Sequence, residues 1–111
     1  MRTAEMIRRA RRMGREAARN AASWVFDGNT TEETYRAVLK MIEDGDPVFY
    51  DNYRVPDLSG EWADSETPQT LAEYFGSDVN APRMDAVCTA WEEGAATFEA
   101  EVEKIIRAHL S

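Results

Sequence analysis

One cysteine and one histidine are all that 111 residues offer for nucleophilic or imidazole chemistry. A lone Cys88 excludes an intrachain disulfide and says nothing more about redox compartment. His109 stands three residues from the end of the sequence, where a general base would lack the protected, oriented site it needs. No apolar run approaches the ~20 residues of a membrane span. The basic N-terminal stretch is not followed by an uninterrupted apolar core, so no signal peptide is expected and a cytoplasmic location follows. No glycine-rich phosphate loop is present. No strand alternation, repeat or low-complexity tract interrupts the pattern either.

What is present is 43% hydrophobic content, with three Trp, four Tyr and four Phe, enough for one core in a single domain spanning residues 1–111. Charge is divided unevenly. Residues 1–19 hold seven Arg against Glu5 and Glu16, a balance of +5 within a chain of net −8, so the remaining residues carry −13. The acidic total argues against a general nucleic-acid binder, whereas the basic segment suggests a local anionic contact.

Helix signals run the length of the chain. The first helix is expected from Thr3 to Asp27-Gly28-Asn29. It has Met6, Ala10, Met13, Ala17, Ala21 and Trp24 on one arc and Arg8, Arg11, Arg12, Arg15 and Arg19 opposite. Its small residues, Gly14, Ala17, Ala18, Ala21 and Ala22, would admit another helix closely, and also allow self-association. A second helix is expected to start at Thr30 with Glu33 completing a capping box, and to end at Gly45. Asp46-Pro47 can restart a short helix anchored by Val48, Phe49, Tyr50 and Tyr53. Residues 54–66 read as a loop. Thr67-Pro68 and Asn80-Ala81-Pro82 open two further helices, the last running to the end with Gly94 as a weak point of ~1 kcal/mol. The fold class is all-α, an irregular bundle of four or five helices with long first and last helices.

Two stretches, AASWVFDGNTTEETYRAVLKMIEDGDP (21–47) and LSGEWADSETPQTLAEYFG (58–76), resemble a group of small uncharacterised proteins of actinobacterial bacteriophages. The resemblance covers about two-thirds of the chain and carries no assigned activity. It implies a setting inside an infected cell, and with it an accessory factor that binds a host protein.

Chemistry-bearing clusters are sparse. Cys88 lies between Met84 and Trp91 on an apolar arc, where cysteine behaves as a small hydrophobe. Asp27-Gly28-Asn29-Thr30-Thr31 departs from a calcium loop, with Glu32 at the sixth position and Val38 at the twelfth. Asp44, Asp46 and Asp51 surround a turn, and neither a metal nor a cofactor is expected. The expectation is a non-enzymatic interaction protein. Its partner-binding residues would be Tyr50, Asp51, Tyr53, Asp57, Glu61 and Trp62, an aromatic patch with an acidic rim. Two alternatives remain. The ten carboxylates of residues 44–85 could imitate DNA, or the arginine face could contact nucleic acid directly. Against the latter, no aromatic is interleaved with the arginines, and Glu92, Glu99 and Glu103 form a row on the last helix that could pair with them internally.

Overall fold

The computed structural model describes residues 1–28, 31–53 and 67–111. Six helical segments follow in order: α1 (Thr3–Val25), α2 (Glu32–Asp44), α3 (Pro47–Asn52), α4 (Thr67–Phe75), α5 (Arg83–Ala95) and α6 (Phe98–Leu110). Among the described residues there is no strand. The molecule is an all-α bundle measuring 47 × 24 × 24 Å.

Local capping explains most boundaries. The Thr31 hydroxyl accepts from the Thr34 amide at 3.2 Å, so the cap of α2 is Thr31; Thr30, the expected cap, lies outside the described residues. Asp46 caps α3 by accepting from the Val48 amide at 2.9 Å, with Pro47 at the first helical position. Gly45 and Gly76 follow α2 and α4 with φ of 63°, the left-handed geometry that closes helices. The first helix begins at Thr3 as a helical residue, with Arg2 in the cap position and no side-chain cap.

Two expectations are corrected by packing. The buried stripe of α1 is Met6, Ala10, Gly14, Ala18 and Ala22, spaced strictly by four. A four-residue step drifts about 40° around the helix, so the stripe winds away from the expected arc. Met13, Ala17 and Ala21 are left half-buried, and Trp24 is 70% exposed. The last helix divides at Ala96–Thr97, where both residues stay in the right-handed region. The Thr97 hydroxyl donates to the Gly94 carbonyl at 2.8 Å, tightening the junction without ending the rod. Counted as one rod, α5–α6 gives the long last element of a five-membered bundle.

The rod carries its own row of fours: Ala90, Gly94, Phe98, Val102 and Ile106, all buried. Interlocking such rows is the commonest way for two helices to cross. The rows meet at glycines. A Cβ on Gly14 would overlap the Trp91 carbonyl and lie 2.8 Å from the Ala95 nitrogen; a Cβ on Gly94 would overlap the Arg11 carbonyl and lie 2.8 Å from the Arg15 nitrogen. Gly94 is therefore a contact point rather than a weak point.

Either side of this crossing sits a hydrophobic cluster. One joins Met6 and Ala10 to Leu71, Ala72, Met84, Val87 and Trp91. The other joins Ala18 and Ala22 to Tyr35, Val38, Phe49, Phe98 and Val102. The first half of α1 thus packs on α5 and the second half on α6, so the two long elements run parallel. The small-residue face is consumed within the chain, which removes its argument for self-association.

Candidate docking surface on the first helix

Because the glycine crossing fixes which side of α1 is covered, it also fixes which side is free. Arg8, Arg12, Arg15 and Arg19 lie about 100–160° around the helix from Gly14. All four are exposed, and no ion pair or hydrogen bond engages them among the described residues. Two neighbours are paired: Arg9 with Glu5 at 3.8 Å, and Arg11 with Glu93 at 3.3 Å. The expected internal row does not take up the stripe. Glu93, rather than Glu92, reaches across to α1, while Glu103 holds Arg107 at 2.6 Å on its own helix.

Sequence reasoning missed Tyr74. Counted among the apolar residues of α4, it is 57% exposed, and its ring meets Phe75 edge-on at 4.9 Å. With Arg9, Arg12, Met13 and Glu16 it lines an open groove of about 270 Å³. The α4 wheel gave no warning, since Tyr74 falls about 20° from Thr67 and 60° from Leu71, at the edge of the apolar side. An aromatic does therefore border the arginines, supplied by another helix.

The expected aromatic-acidic patch fares differently. Asp57, Glu61 and Trp62 lie outside the described residues, as do the side chains of Tyr50 and Asp51. Tyr53 is half-buried with its ring 5.4 Å from Phe49, which stacks at 6.0 Å on Phe98. That makes Tyr53 part of the core edge.

The remaining candidates hold structural positions. His109 stacks on Tyr35 at 4.6 Å, and its Nδ1 lies 3.0 Å from the Ile105 carbonyl. Cys88 is half-buried, and burial followed by the nearby charges of Glu92 and Asp85 raises its pKa, away from thiolate reactivity. Asp44 pairs with Lys40 at 3.7 Å, and Asp46 serves as the α3 cap. Among the described residues, no three His, Cys, Asp or Glu side chains gather as a metal site would need, and no helix is long and apolar enough to cross a membrane.

No protein family, curated protein or solved structure matches the chain. The surface must be interpreted from its own geometry.

Proposed function

We propose that the protein is a non-enzymatic interaction protein that docks a partner protein through the outer face of α1. The observation that carries this is the stripe of four exposed arginines, unpaired among the described residues. Charges left without internal partners do not stabilise the fold, and their mutual repulsion along one helix works slightly against it. Of the two acids on α1, Glu5 pairs with Arg9 and Glu16 stands beside Arg12, so the outer face keeps a net positive charge. Asp85 and Glu92 lie about 160–180° around α5 from Gly94, on the far side of a molecule 24 Å thick. That thickness is roughly three Debye lengths at physiological salt, so a partner at α1 senses the stripe first.

Exposed ion pairs contribute about 0–1 kcal/mol each, so four arginines steer and orient a partner more than they hold it. Burial against Met13 and Tyr74 supplies the apolar component. The setting we propose, a phage accessory factor acting on a host protein in the cytoplasm, rests on the resemblance of residues 21–47 and 58–76. The test is capture from an extract of the cells that make the protein, with native chain and the Arg8, Arg12, Arg15 and Arg19→Gln variant side by side. A partner protein retained by the native chain and lost by the variant is expected. Equal retention by both would overturn the proposal.

Nucleic acid is the second reading, favoured by Tyr74 at the edge of the stripe, since bases stack on such a platform. DNA mimicry needs residues 44–85 as one surface, and five of its ten carboxylates (those of Asp51, Asp57, Glu61, Asp64 and Glu66) lie outside what the structure describes.

A further inference from the structure

We infer that the partner segment seated on α1 is an acidic amphipathic helix, bearing carboxylates at i, i+4, i+7 and i+11 and one apolar anchor for the Tyr74 groove. This rests on the docking proposal above and specifies its ligand. Arg8, Arg12, Arg15 and Arg19 are separated by four, three and four residues. On a helix those steps keep the four residues within an arc of about 60°, forming a row about 16 Å long. A second helix laid alongside repeats its own side chains with the same rise. Carboxylates in the same four-three-four pattern therefore meet every arginine without distortion. Arginine suits this because its planar fork accepts a carboxylate through two parallel hydrogen bonds.

The groove adds the specificity that charge alone lacks. With Met13 and Tyr74 as its apolar members among Arg9 and Arg12, it opens beside the N-terminal half of the row. An apolar side chain from the partner helix, one face away from its carboxylates, would enter there and cover Tyr74. Glu16 also lines this groove, and Glu5 sits on Arg9. Those carboxylates leave the groove itself to an uncharged side chain. The single bordering aromatic likewise offers one stacking position where a strand of bases would need several.

The test uses the full chain and three fluorescent probes. One is a helical peptide with Glu in the four-three-four pattern and a Phe anchor. The second has the same composition with scrambled spacing, and the third is a single-stranded oligonucleotide of equal charge. At low salt the patterned peptide should bind about tenfold or more tightly than the scrambled one. The Tyr74→Ala variant should lose roughly 30-fold, as for an interface hot spot, while keeping its salt dependence. The Arg8, Arg12, Arg15 and Arg19→Gln variant should lose both affinity and salt dependence.

Equal binding of patterned and scrambled peptides would overturn the helical register. If both were lost with the arginines, docking through the stripe would still stand. Tighter binding of the oligonucleotide would replace the helix with nucleic acid. Failure of the patterned peptide to bind would also overturn the inference, and capture by native and arginine-substituted chains judges the docking proposal separately.

Discussion

Replacing Gly14 or Gly94 by alanine reverses the sign that helix propensity alone dictates. In an ordinary helix interior, Gly→Ala stabilises by about 1 kcal/mol. Here each new methyl meets backbone of the facing helix, 2.8 Å from the Ala95 nitrogen at Gly14 and 2.8 Å from the Arg15 nitrogen at Gly94, besides overlapping a carbonyl. Backbone cannot rotate away as a side chain can, so the helices must part. Over-filling a packed contact costs typically 1–3 kcal/mol, and a gap of 0.5–1 Å already forfeits a quarter to a half of the dispersion at its walls. Taking about 3 kcal/mol for the separation and subtracting ~1 for propensity leaves a net loss of ~2 kcal/mol for each variant. At roughly 4 °C per kcal/mol for a chain of this size, Tm falls by about 8 °C. Thermal and urea unfolding followed by helical circular dichroism measures it. The double variant should lose less than the sum, because the first methyl already opens the crossing that the second needs. Ala37→Gly, on the exposed side of α2, calibrates ordinary propensity at a loss of ~1 kcal/mol. A Tm for Gly14→Ala equal to or above that of the native chain would refute the close crossing.

Neutralising Arg8, Arg12, Arg15 and Arg19 should leave stability within about 0.5 kcal/mol per site, because none holds a partner among the described residues; a loss of several kcal/mol in urea unfolding would place them in the fold after all. Thr31→Ala should cost ~1 kcal/mol by removing the α2 cap, read from the same transition. The raised pKa of Cys88 means that the unfolded thiol ionises first as pH rises, so the native state holds its full stability below the ordinary thiol range and loses part of it from there up through the raised pKa of the folded thiol. Iodoacetamide labelling of the native protein near pH 8 should accordingly be slower than that of free cysteine and accelerate in denaturant; equal rates would contradict the burial.

Much of the helical plan was legible because its signals are local. Asp46-Pro47, Thr67-Pro68, Gly45 and Gly76 mark helix ends through backbone geometry and short-range hydrogen bonds, which need no knowledge of partners. The rotation of α1 was less legible. A wheel drawn at a fixed 100° finds the arc containing Met13, Ala17 and Trp24, but burial follows the facing rod, and the row of fours drifts with it. Gly94 shows the same limit. By itself a mid-helix glycine reads as a weakness, and only the position of Gly14 opposite it turns it into a contact. Tyr74 was misassigned because its neighbours Leu71, Ala72 and Phe75 are apolar and its position on the α4 wheel lies within about 60° of Leu71, so nothing local separates it from the core face.

The crossing and the stripe are consequences of one geometry. Had α1 used Met13, Ala17 and Ala21 as its buried row, the covered side would have turned by about 100° at Met13 relative to Gly14. Residues of that row are half-buried instead, and they lie between the covered side and the groove. With the glycine row inward, Arg11 falls next to α5 and is the one arginine of the face that pairs across it, with Glu93. Arg8, Arg12, Arg15 and Arg19 fall farther round and are left in water. Selection for a tight helix contact would account for Gly14 and Gly94, yet it places no demand on the residues facing away. Any soluble side chain would serve there, and mixed charges would serve better than four cations in a row. The stripe is therefore the part of α1 that folding does not explain, which is why a partner is sought there and not in the acidic aromatic middle.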